Sequence, residues 1–100
     1  MLFLVRFTDQ PNSSGLRKEK LKEHLAWLKK HKSQIPAAGS LREDDDSAPI
    51  GGCWVVEAES KEAVDSLIQT DPFCMAGLRE KIEILHWSLA FGNNELPEMA

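Results

Sequence analysis

No tyrosine occurs in these 100 residues, so a phenol hydroxyl is excluded as an acid or hydrogen-bond partner. Cysteine is almost as scarce. Cys53 and Cys74 lack metal-ligand spacing and are too few for a disulfide framework, which leaves two reduced, buried thiols as the expectation. Bases are outnumbered, twelve against sixteen acids, for a formal net charge of −4. That balance offers no electrostatic footprint for a phosphate backbone, so nucleic acid is not an expected partner. Long apolar stretches are also missing. The opening run Met1 to Val5 is closed by Arg6, whereas a secretory signal needs a basic segment and a longer apolar core, and a membrane span needs about 20 apolar residues. The expectation is a cytoplasmic protein with no membrane partner. No His, Cys, Asp and Glu set has metal-site spacing, and Asp44-Asp45-Asp46 reads as a solvated loop. Gly51-Gly52 is too short for a phosphate loop and better fits a bulge or a close backbone approach. Neither a metal nor a nucleotide cofactor is expected.

What is present is an ordinary globular mixture, 42% apolar and 28% charged, of a length that suits one domain over residues 1–100. Residues 2–7 read as a strand, and Thr8 to Gly15 as turn and loop. From Leu16 the spacing predicts a helix with Leu21, Leu25, Leu28 and Ile35 on its inward face, ending before Pro36. Residues 37–42 make a short second strand, 43–49 an acidic loop and 50–58 a third strand. Ser60 caps a second helix that turns Ala63, Val64, Leu67 and Ile68 inward and ends at Asp71-Pro72. Pro72 to Gly77 adds one helical turn, residues 82–91 form the last strand, and 92–100 an irregular tail.

The order β-α-β-β-α-β predicts an α+β, ferredoxin-like fold: a four-stranded antiparallel sheet with both helices on one face. The uncovered face should then be polar. Yet Leu85, Trp87, Leu89 and Phe91 line one side of the last strand while Ile82, Ile84 and Ala90 line the other. A sheet apolar on both faces needs a second cover, and a second copy of the chain is the economical one. The expectation is a homodimer packed through its sheets into an α+β barrel.

Polar residues within this apolar frame are the candidates for chemistry. His24 lies on or beside the apolar face of the first helix, placed either as a satisfied core group or for proton transfer. His31, near the helix C-terminus, suits the dipole there. Asp71 shapes a turn and, with both helices on one sheet face, can also meet His24. A carboxylate beside an imidazole fixes its tautomer and makes it a better base. His86 among apolar neighbours, with Trp54 and Trp87 as aromatic walls, outlines a small-ligand pocket, unless His86 is simply a core or interface residue. Ser40 can hold a substrate oxygen.

Several motifs together carry a family resemblance: "HLAWL" at His24 to Leu28, "AAGSL" at Ala37 to Leu41, "GGCWVVEAES" at Gly51 to Ser60, "TDPFCMAGL" at Thr70 to Leu78 and the closing "EILHWSLAF". The chain resembles the YciI-like, or YCII-related, family of the dimeric α+β barrel group, which also includes muconolactone isomerases. The resemblance spans roughly residues 1–92. It implies that His24 and Asp71 form a dyad at a cleft, and one related enzyme type removes halide from a chlorinated aromatic diol. A His-x-x-Tyr-Leu variant seen in such proteins is replaced here by Trp27, whose indole cannot accept a hydrogen bond.

The reading that follows is a cofactor-free enzyme performing isomerisation or elimination on a small organic acid or aromatic substrate. His24 acts as general base, Asp71 orients it, and Ser40, Trp54, Trp87 and His86 contact substrate. The competing reading is a non-catalytic module that binds a small ligand or a partner protein through the same barrel; a cofactorless monooxygenase is a third.

Overall fold

The computed structural model describes residues 1–92; the predicted tail falls almost wholly outside the described residues. Its elements run β1 (Leu2–Asp9), α1 (Ser14–Lys30), β2 (Ala37–Leu41), β3 (Gly51–Glu57), α2 (Lys61–Ile68), α3 (Pro72–Met75) and β4 (Arg79–His86). The strands form one antiparallel sheet in the order β2-β3-β1-β4. Each βαβ passage therefore steps over one antiparallel strand, which is the ferredoxin-like arrangement.

One face of the sheet builds the core. Val5 pairs with both Trp54 and Ile84, and Phe3 with Val56, so their side chains share a face. Those residues join Trp27 of α1 and Val64 and Ile68 of α2 in a single cluster, so both long helices cover the same side. Ser60 caps α2 by accepting the Ala63 N–H at 3.1 Å. The outer face holds half-buried Leu4, Cys53 and Val55, exposed Leu85 and the Arg6–Glu83 ion pair. No helix among the described residues is long and apolar enough to cross a membrane.

Ala63, expected inward on α2, is exposed, and three further expectations need correction. The first helix ends at Lys30 rather than near Pro36: residues 31–34 turn, with the Gln34 and Ile35 N–H groups returning to the His31 carbonyl. Pro36 draws Ile35 out of the helical region, and Ile35 enters the core from that turn. The inward stripe of α1 is also rotated. Its buried residues are His24 and Trp27, while Leu21 and Leu25 remain 41% and 54% exposed. Finally, β4 begins earlier and stops at His86 rather than Phe91. Among the described residues it is an edge strand with β1 as its sole neighbour, and β1 begins at Leu2; a last Trp87 N–H bond to the Leu2 carbonyl exhausts that partner. Leu89 and Phe91 therefore do not continue an apolar strand face.

Candidate active site

Asp71 is positioned by the residues that follow it. Pro72 presets the first turn of α3, and Asp71 caps that turn by accepting the Phe73 N–H on Oδ1 at 3.2 Å. The same oxygen lies 2.6 Å from His24 Nδ1. Asp71 is 0% and His24 6% exposed, and the imidazole stacks on Phe73 at 3.9 Å between ring centroids. Opposite an ionised carboxylate, which can only accept, Nδ1 is the donor and Nε2 is then the acceptor of the ring. Asp71 Oδ2 is buried without a partner among the described residues.

His24 lines a cleft of about 240 Å³ between α1 and the β2–β3 edge of the sheet. Trp54 and Ser40 line it too, and Ser40 Oγ accepts from Arg42 at 3.1 Å. The exposed Leu21 and Leu25 supply apolar wall, which accounts for their position off the core. His86 and Trp87 are not brought to this cleft. His86 packs against Phe3 at the far end of β4, seven residues or roughly 23 Å of strand from Arg79, which does line it. Alternation along β4 tells which sheet face a residue takes, not which end of the strand meets α1.

Sequence reasoning missed the charged group beside the imidazole. Asp9, at the end of β1, accepts Arg17 Nε and Nη2 on Oδ2 at 3.1 and 2.8 Å, and Arg79 Nη1 on Oδ1 at 2.8 Å. A register shift between Thr8 and Asp9 sets Asp9 opposite Arg79. Burial pulls the Arg79 guanidinium below its ordinary range, and Asp9 opposes that pull. One usable signal was the seven-residue step from Arg17 to His24, two turns along one helix face. Gly51 and Gly52 let the strands close over this region. A Cβ at Gly51 would strike the Phe7 carbonyl, and one at Gly52 would press on the Gly39 carbonyl at 3.2 Å. The cysteines are half-buried and free, and burial pushes both thiols up.

The family model for the YCII-related domain matches residues 1–88. Among solved structures, the chain is similar to the 5-chloro-2-hydroxyhydroquinone dehydrochlorinase of Burkholderia phenoliruptrix AC1100, determined with 2,5-dihydroxybenzoquinone. The two are 33% identical, with 88% of this chain and 94% of that chain covered and a TM-score of 0.77. A candidate antibiotic biosynthesis monooxygenase from Bacteroides thetaiotaomicron VPI-5482 is 16% identical, over 91% of this chain and 90% of that one, with a TM-score of 0.55. A further antibiotic biosynthesis monooxygenase is 12% identical, over 89% and 100%, at 0.51. The last two likenesses concern the fold alone. No curated protein matches the sequence.

Proposed function

This chain belongs to the YCII-related family, and from that premise we propose that it is a cofactor-free enzyme using His24 and Asp71 for acid–base chemistry on a small organic acid or single-ring aromatic substrate. The observation that carries this reading is the 2.6 Å contact between His24 Nδ1 and Asp71 Oδ1 at the wall of a cleft. Asp71 holds the Nδ1 proton, and Nε2 of the neutral ring takes a proton from a substrate C–H or O–H. The imidazolium so formed lies against the Asp71 carboxylate. In an isomerisation the proton returns to another substrate atom; in an elimination a leaving group departs with the electron pair. Assistance of this kind contributes about 10²–10⁴ in rate. The dehydrochlorinase relative supports an elimination on a hydroxylated ring.

Chloride release from 5-chloro-2-hydroxyhydroquinone, followed beside turnover of related halogen-free rings, tests the reading. His24→Gln should keep the fold and lose at least a hundredfold in rate. A His24→Ala variant with native turnover sinks the dyad. Binding without turnover across the panel leaves the non-catalytic module as the better account.

The same reading includes a homodimer through the outer sheet face, where Leu4, Val55 and Leu85 form an apolar strip that no element among the described residues covers. Sedimentation at micromolar concentration should give twice the chain mass, and Val55→Lys should halve it. A native monomer rejects this part of the proposal.

A further inference from the structure

Among the described residues three arginines meet carboxylates, but they do not present the same edge. Arg6 uses Nε and Nη2 on Glu83, and Arg17 uses Nε and Nη2 on Asp9. Arg79 meets Asp9 through Nη1. Its Nε–H is buried with no acceptor among the described residues, although the side chain is only 3% exposed. A buried donor left unanswered is costly, and an outside acceptor answers it only when the groups that cover it give way. The Nε–Nη2 edge presents two parallel donors, which meet both oxygens of a carboxylate or converge on one ionised ring oxygen. Phe7, at 4.2 Å, and Phe73, at 5.2 Å from the guanidinium carbon, fix its position.

The surroundings favour an anion on that edge. Arg79 lines the His24 cleft, whose lining among the described residues includes Arg17 and Arg42 but no Asp or Glu, in a chain of net charge −4. Gly52 lies beside the guanidinium: a Cβ there would stand 3.6 Å from Nη1 and 3.7 Å from Nη2, so the glycine keeps side-chain bulk off the Nη groups. The cleft volume of about 240 Å³ suits one substituted ring, since a cavity of about 150 Å³ holds benzene.

We propose that Arg79, oriented by Asp9, is the binding residue for a delocalised oxyanion, a carboxylate or an ionised ring oxygen, carried on a single-ring substrate. The proposal rests on the cleft being the substrate site. Asp9 is a positioning residue: it occupies the Nη1 end and leaves the paired donors to the ligand. A neutral ring analogue would leave the guanidinium desolvated and unanswered, so the subsite selects for charge.

The test is an NMR titration of the full chain with benzoate, 4-nitrophenolate and benzamide, following the Arg79 Nε–H and His24 side-chain resonances. Benzoate or nitrophenolate should saturate the cleft and shift the Arg79 Nε–H signal, and the tighter of the two names the oxyanion. Benzamide should bind at least tenfold more weakly and leave that signal in place. In Arg79→Lys the anion should weaken at least tenfold while benzamide is unchanged, because an ammonium keeps the charge but loses the paired donors. The Nε–H shift is read on the native protein, so the test survives a variant that fails to fold. An anion that moves the His24 resonances without moving Arg79 overturns this subsite and leaves the cleft as the substrate site. An anion that moves neither overturns both readings.

Discussion

Trp27 Nε1 donates a hydrogen bond of 3.0 Å to Thr70 Oγ1, tying α1 just beyond His24 to the residue that precedes Asp71. Thr70 Oγ1–H itself donates to the Leu67 carbonyl at 2.8 Å, so the acceptor is locked in orientation. The link sets the spacing of the two elements that carry His24 and Asp71. An indole can only donate, and Thr70 is where this one does so.

Thr70→Val should therefore lower stability by about 1–2 kcal/mol, since it leaves a partly buried indole N–H without its acceptor. Urea unfolding of Thr70→Val, Trp27→Phe and the double variant gives the coupling directly. A coupling of about 0.5–1.5 kcal/mol is expected for this hydrogen bond. Additive losses would mean that packing, not the bond, joins the two elements.

Asp71→Asn tests the oxygen that holds His24. Asp71 Oδ1 accepts from both Phe73 N–H and the imidazole, and an asparagine carbonyl can keep both bonds. Its amide NH₂ would then occupy the site of Oδ2, which has no partner among the described residues. Two stranded donors in a fully buried position should cost about 1–3 kcal/mol. Imidazole ¹⁵N shifts should still report the proton of neutral His24 on Nδ1. A His24 ring with its proton on Nε2 in the native protein would reject the arrangement outright.

The alternation of Phe3, Val5 and Phe7, the cap at Ser60 and the Asp71-Pro72 turn are local signals, and they sufficed to order the elements and to read the fold. Pairing His24 with Asp71 needed the family resemblance as well, because a 47-residue separation is not itself a pattern. What stayed hidden depends on partners. The end of β4 is set by where β1 starts, which the apolar residues of 87–91 do not encode. The rotation of α1 escaped for a related reason. Its apolar residues give the helix almost no amphipathic moment, so nothing local says that His24 and Trp27 outrank Leu21 and Leu25 for burial. Asp9 and Arg79 lie 70 residues apart at strand ends, where charge reads as solvated until a bulge brings them together.

Gly51→Ala should be among the most damaging single-methyl additions. The β3 backbone approaches β1 so closely there that a Cβ would overlap the Phe7 carbonyl, and neither strand can yield without breaking its ladder. Overpacking of this kind costs about 1–3 kcal/mol. Gly39→Ala, where a Cβ meets nothing within 4 Å, serves as the control and should change the urea midpoint little. Equal losses in both variants would mean that backbone freedom, not contact, accounts for the effect.

The Arg6–Glu83 pair on the outer sheet face gives stability a defined pH dependence. Arg6 donates Nε and Nη2 to the two Glu83 oxygens at 3.0 and 2.8 Å, and that bonding holds the Glu83 carboxyl below its ordinary value of 4.5. A carboxylate depressed in the folded state contributes stability that is fully present above its unfolded pKa and is lost as pH falls through the folded one. Glu83→Gln should therefore melt at a lower temperature than the native chain at pH 7, with the gap closing on acidification below the ordinary carboxylate range. Because Arg6 is half exposed, added salt should also narrow the gap at pH 7. A gap that widens on acidification would reverse the sign and remove Arg6 as the cause of the depressed carboxyl.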